Sequence, residues 1–264
     1  MCEILIMGLK QEIDRVNINK IKRIFKYHKQ GQEFDCEPLQ YACDKENIHI
    51  IMALLLEPSI DVNAVTCIGV TTNYTCLEHA CRIRREHIVR ALLTHPNIQI
   101  GRSLQYAAED DIDNATIINM LISRMSRDNH KVDVTDVLYA SCKSGSYENF
   151  ELLLTHPKTV FDFNKYPLVH VLCQTSHLVE LKARIASYGY SYGFNMRTEV
   201  DKLKTLLLLN DIDINKQGDD GLTPIQLCAT LKDEDKFELL LSDPRCDPYQ
   251  KTKDGKTLWD IVSM

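Results

Sequence analysis

Gly221-Leu222-Thr223-Pro224-Ile225-Gln226-Leu227-Cys228-Ala229, read on through Lys232-Asp233-Glu234 to Phe237, Leu239-Leu240-Leu241 and Asp243-Pro244, decides the fold. Thr223 suits a helix N-cap, where its hydroxyl accepts from orphan backbone N–H groups. Pro224 then falls at the first helical position, where its missing N–H costs nothing. Ile225, Leu227, Cys228 and Ala229 make a short apolar helix with small residues on one side. Lys232-Asp233-Glu234 interrupts it. Phe237 and Leu239 to Leu241 form a second helix, stopped near Asp243-Pro244. Neither helix is long enough to be stable alone, so the pair must be one member of a stack.

The pattern returns at a step of about 33 residues. Pro38-Leu39-Gln40-Tyr41-Ala42-Cys43 leads to Leu54-Leu55-Leu56 and Asp61-Val62-Asn63-Ala64. Cys76-Leu77-Glu78-His79-Ala80-Cys81 leads to Leu92-Leu93-Thr94-His95-Pro96, and Ser103-Leu104-Gln105-Tyr106-Ala107-Ala108 to Met120-Leu121-Ile122. Val137-Leu138-Tyr139-Ala140-Ser141 leads to Leu152-Leu153-Leu154-Thr155-His156-Pro157. Pro167-Leu168-Val169-His170-Val171 leads, late, to Leu206-Leu207-Leu208 and Asp211-Ile212-Asp213-Ile214-Asn215. Thr257-Leu258-Trp259-Asp260-Ile261-Val262 opens a last, partial copy.

These residues resemble the ankyrin-repeat family, whose unit reads roughly G-x-T-P-L-H-x-A-A, a short loop, L-L-L, then D-V-N-A. Gly221 to Ala229 and Asp61 to Ala64 match it most closely, and the resemblance covers about residues 33 to 264. It implies an all-α fold, an ankyrin-repeat solenoid of about six helix-turn-helix repeats with short hairpin fingers and an N-terminal helical cap. The sequence departs from the pattern in two ways. Thr-Pro is intact once, and the family's His after Leu is replaced by Gln40, Glu78, Gln105, Leu138, Val169 and Gln226. In the family that His ties neighbouring loops, so the loops here are expected to be held differently and less uniformly. Asn63 and Asn215 match the family's hairpin Asn, for which a structural role is expected ahead of hydroxylation. Gly145 fits the family's inter-helix glycine, where a left-handed conformation is useful.

Residues 1–35 are expected to form the N-terminal helical cap and 36–264 the ankyrin-repeat stack, with an insertion at about 174–199 and a partial C-terminal repeat at 250–264. Either that half-repeat is a cap, or the natural chain continues past Met264. From Arg15 to Gln30 there are Arg15, Lys20, Lys22, Arg23, Lys26 and Lys29 and no acid. This reads as the solvated face of a cap or as a patch for anionic membrane or an acidic partner. The insertion ends in Tyr188, Tyr190, Tyr192 and Phe194, spaced by Gly189 and Gly193. Such rings either anchor a partner or fold back over the lengthened helices.

Lys and Arg total 31 and Asp and Glu 37, a net charge of -6, which argues against a generic nucleic-acid binder. No run reaches the ~18–20 apolar residues of a membrane span. Ten cysteines include no C-x-x-C pair, and Cys43, Cys81 and Cys228 fall in the family's small Ala slots. Many unpaired thiols imply a reducing compartment, the cytoplasm. Cys76, His79, Cys81 and His87 lack the geometry of a closed zinc site. His170 and Cys173 have no third orienting group with a sequence signature, and His170 reads as core lining. No metal, cofactor or catalytic residue is expected.

The expected function is a non-enzymatic interaction module that binds a protein partner through a concave groove, finger tips and the Tyr-rich insertion. The inner-helix positions are Asp44, Lys45, Arg82, Arg84, Glu109, Asp110, Lys143 and Ser144. The finger positions are Thr66, Ile68, Lys165, Asp219 and Lys251. Irregular repeats and Lys/Ile usage fit a pathogen effector acting in host cytosol. The alternative is the recruiting part of a larger enzyme or ubiquitin-ligase-type adaptor.

Overall fold

Seven- and eight-residue helices need neighbours, and the chain supplies them in pairs. The computed structural model describes residues 37–58, 60–67, 73–110, 112–126, 130–144, 146–175 and 198–263. The expected cap at 1–35, the basic run Arg15 to Gln30, Ile68, Gly145 and the rings Tyr188, Tyr190, Tyr192 and Phe194 lie outside the described residues. The chain divides into two compact units, 1–107 with 116–127, and 108–115 with 128–264.

In the first unit, inner helix α1 (Glu37–Asp44) pairs with outer helix α2 (Ile48–Leu54), and α3 (Cys76–Arg82) with α4 (Glu86–Leu92). Helices α5 (Ser103–Ala108) and α6 (Ala115–Met125) continue the alternation. Inner packs on inner, α1 against α3, and outer on outer, α2 against α4. The finger between the first two pairs carries strands β1 (Thr66–Cys67) and β2 (Asn73–Tyr74), paired antiparallel. Leu39, Ile50, Ile51, Leu54, Leu77, Ile88 and Leu92 are fully buried between the layers. Each such side chain stabilises by about 1.5–3 kcal/mol relative to exposure.

The second unit follows the same rule. Strand β3 (Val132–Asp133) precedes α7 (Thr135–Lys143) and α8 (Tyr147–Thr155), and β4 (Thr159–Val160) pairs with β3 in parallel, finger beside finger. Helix α9 covers 168–175 and α10 is Thr198–Leu207. Helices α11 (Pro224–Leu231) and α12 (Glu234–Leu241) form a pair, and α13 (Leu258–Val262) packs on α11. The outer helices α8, α10 and α12 pack in succession. This is the ankyrin-repeat arrangement expected from the sequence.

The local reasons are those the sequence carries. Thr223 caps α11, and Gln226 returns the bond to the Thr223 N–H; Thr75 and Glu78 do the same for α3. Where the family's inter-helix turn uses glycine, Glu46, Arg84 and Lys232 stand in the left-handed region at φ 54°, 59° and 58°. Cys43, Cys81, Cys142, Cys173 and Cys228 form no disulfide and are buried as small hydrophobes. Cys76 is disulfide-bonded, a departure from the unpaired thiols that the sequence implies.

One column differs between the units. The outer-helix position four residues before its buried leucine is apolar in the first unit, Ile50, Ile88 and Ile117, and each is buried. In the second unit the same column holds Asn149, Lys202 and Lys236, equally buried. Each reaches backbone carbonyls of the preceding repeat. Asn149 Nδ2 donates to Asp110 O at 3.1 Å and Ile112 O at 2.9 Å. Lys202 Nζ donates to Ser141 O at 3.0 Å, and Lys236 Nζ to Leu172 O at 2.6 Å. Each lysine has an acid three residues earlier, Glu199 at 3.2 Å and Asp233 at 3.7 Å. Removing one member of such a pair leaves a buried charge uncompensated, at a cost of about 3–5 kcal/mol. Lys202→Ile alone should therefore lower the unfolding free energy by about 3 kcal/mol. Lys202→Ile with Glu199→Ser, which copies the apolar column of the first unit, should recover most of it in urea denaturation.

Candidate functional site

Tyrosines of the inner helices and the fingers carry cations over their rings. In α1, Tyr41 and Lys45 are four apart, and the Lys45 ammonium sits 5.3 Å from the ring centroid. Tyr74 of β2 meets Tyr106 of α5 edge-on, centroids 5.3 Å apart. Arg82 lies over Tyr74 and Arg102 over Tyr106, each at 5.3 Å. His79 of the same column stands 6.5 Å from Tyr74 and 3.6 Å from Asp44. Burial holds its imidazole below the usual range, against the opposing pull of Asp44.

The second unit repeats the device more tightly. Tyr139 of α7 stacks on Tyr166 of the finger, centroids 4.2 Å apart and planes 23° from parallel. Lys143 lies 4.3 Å from the Tyr139 centroid and Lys165 5.2 Å from that of Tyr166. Asp136 Oδ1 accepts from Lys165 Nζ at 2.6 Å and from Tyr166 Oη at 2.7 Å. Those two bonds hold the Asp136 carboxyl below the usual carboxylate range. Tyr139 and Tyr166 are half-buried while Lys143 and Lys165 are exposed. Cation–π contacts at exposed sites are worth about 0.5–1 kcal/mol, so a partner can redirect these cations at small cost.

Among the sequence-derived positions, Lys45, Arg82, Lys143 and Lys165 belong to these arrays. Asp44 accepts from Gln40 at 2.8 Å and closes α1. Arg84 occupies the left-handed turn, and its neighbour Arg85 pairs back to Glu46 at 2.7 Å. Glu109 and Asp110 follow α5, where Asp110 O receives Asn149; Ser144 caps α7. Thr66 lies in β1. Asp219 and Lys251 contribute backbone carbonyls to finger contacts, from Lys253 at 3.2 Å and Gln217 at 2.9 Å. Tyr74, Tyr106, Tyr139, Tyr166 and Asp136 were not among the sequence positions. The four-residue spacing of Tyr41 with Lys45 and Tyr139 with Lys143 is the signal that points to them.

The fingers are tied by the residues that replace the family's His. Glu78 Oε1 accepts from Arg102 N at 2.9 Å, and Gln226 Nε2 donates to Gln250 O at 2.7 Å. Where Leu138 stands in that slot, Thr135 Oγ1 accepts from Asp162 N at 2.9 Å instead. The less uniform holding expected from the sequence is thus visible. Asn63 spans to the next finger through Asn97 O at 2.9 Å and Gln99 N at 2.8 Å. Asn215 does the same through Arg245 O and Asp247 N, both at 2.8 Å.

His170 is buried, and its Nε2 faces both carboxylate oxygens of Asp220 at 2.9 and 3.2 Å. Cys173 shares a hydrogen bond with Cys228, which raises the Cys228 thiol together with burial. Burial pushes Cys43, Cys81 and Cys142 up to about 12, protonated and unreactive at neutral pH. Among the described residues no group of three or more His, Cys, Asp or Glu is placed to hold a metal ion, and no helix is long and apolar enough to cross a membrane. A Cβ on Gly218 would stand 2.2 Å from His170 Cε1. Gly218→Ala should therefore push the ring from Asp220 and destabilise the second unit by about 1–3 kcal/mol. In a His170→Ala background the same change should cost far less by chemical denaturation.

No protein-family model matches the sequence and no curated protein is similar to it. The structure is similar to the human ASB11 ankyrin repeat domain, at 15% identity and a TM-score of 0.37, over 96% of this chain and 90% of that one. It is also similar to the ankyrin repeat domain of Bcl-3, a member of the IkappaB protein family, at 13% identity and a TM-score of 0.43, over 97% and 96%.

Proposed function

We propose that this chain is a non-enzymatic ankyrin-repeat module that holds a protein partner against its inner helices and fingers, and that the partner presents carboxylates beside apolar groups. The carrying observation is the tyrosine–cation array of each unit, Arg82–Tyr74–Tyr106–Arg102 in the first and Lys143–Tyr139–Tyr166–Lys165 in the second. Tyr and Arg supply large contact area at low entropic cost and dominate interface energetics. The stacked rings are already fixed by their neighbours, so little ordering is left to be done on binding. The Tyr-rich insertion would extend the same chemistry.

Affinity capture from cytosol, followed by titration with the captured partner, tests this. Lys143→Glu should weaken binding by about 1–2 kcal/mol and leave thermal stability within about 0.5 kcal/mol, since Lys143 is exposed. Tyr190→Ala with Tyr192→Ala should weaken it further at unchanged melting temperature. Full retention of binding in Lys143→Glu would refute the inner-face reading. A large loss of stability in the double variant would assign the insertion rings to covering the helices.

A further inference from the structure

Grooves run between outer helices in both units, and their charge is opposite. In the first unit α4 and α6 flank a groove of about 680 Å³ whose polar lining is Arg90, Thr94, Thr116, Asn119, Ser123 and Arg124. Among the described residues no carboxylate lines it. In the second unit the groove between α10 and α12 is lined by Asp201, Asp235 and Glu238 beside Lys204. The same helix layering thus makes a basic groove in one unit and an acidic one in the other.

Arg124 is pre-positioned. Its Nη2 donates to His95 O at 3.0 Å and Pro96 O at 2.8 Å, fixing the guanidinium against the turn after α4. Its Nε is buried and makes no hydrogen bond. A buried donor without an acceptor is costly, and a shift of the side chain that opens it to the groove would let a ligand oxyanion meet it. Arg90, exposed on α4, brings a second guanidinium to the groove. Asn119, Thr116 and Ser123 add neutral donors on α6. A planar guanidinium fork matches phosphate oxygens, and two cations without a competing acid favour a dianion over a single carboxylate. The groove is much larger than one phosphate needs and is open along the helices, which fits an extended chain better than an enclosed nucleotide. We propose that the groove between α4 and α6 binds a phosphorylated serine or threonine in an extended segment of the protein partner. The inference takes from the preceding section only that the partner is a protein.

The test uses the full chain, immobilised, and a peptide pool of degenerate sequence with one fixed phosphoserine, beside the same pool unphosphorylated. The phosphorylated pool should be retained at least about tenfold better. Arg90→Gln should remove that preference, whereas Lys204→Gln in the acidic groove and Lys143→Glu on the inner face should keep it. The last variant separates failure here from failure of the inner-face reading. Titration with O-phosphoserine should shift the Arg124 Nε–H resonance in ¹⁵N-detected spectra. Equal retention of the two pools, or a preference that survives Arg90→Gln, would overturn the proposal. Arg90-dependent sedimentation with phosphoinositide vesicles, without any peptide preference, would overturn it in favour of a membrane headgroup.

Discussion

A helix of seven or eight residues has at least as many backbone groups unpaired at its ends as paired within it, and that constraint shapes this molecule. Each repeat must lend polar atoms to the helix ends and turns of its neighbour. Arg124 serves His95 O and Pro96 O beyond α4, and Arg245 serves Leu207 O and Leu209 O at the end of α10, at 2.6 and 2.7 Å. Asn63 and Asn215 join consecutive fingers through one donated and one accepted bond each. Apolar burial brings the layers together, and these bonds decide the register at which they meet.

The consequence for binding follows from where this polar work is done. Arg245, Lys202 and Lys236 are spent on backbone carbonyls. Lys45, Arg82, Lys143 and Lys165 lie over tyrosine faces instead, held by an interaction weak enough to give up. Among these cations the distinction separates those that maintain the fold from those able to meet a partner.

The helix pairs were legible because capping and apolar spacing are local. Thr223-Pro224 and the Leu runs state their structure within a dozen residues. The ties replacing the family's His were legible only as a gap, since nothing in Glu78 or Thr135 alone says which amide of the next finger it will meet. The cation–tyrosine arrays were half legible. Tyr139 and Lys143 share a helix face and show it by spacing, but Tyr166 and Lys165 come from a finger more than 20 residues on and are joined to them only by the stacking of repeats. The buried lysines were hidden for the opposite reason. On a helical pattern Lys202 and Lys236 read as solvent-facing charges, and only the carbonyls of the preceding repeat draw them inward.

That last column shows what a polar core position contributes. Ile50, Ile88 and Ile117 fill the same place by packing alone. An apolar contact tolerates a small slide, because its energy falls off gradually with area. An ammonium bound to one carbonyl and one carboxylate does not, since a misplaced lysine leaves a buried charge unmet. Lys202 and Lys236 therefore fix the outer helices α10 and α12 against single carbonyls, Ser141 O and Leu172 O. The need is greatest at α10, since residues 176–197 lie between the described part of α9 and α10 and leave it no short connection from which to take its register. Where the chain supplies no tight turn to align the next helix pair, a buried charge with one acceptable partner performs the alignment.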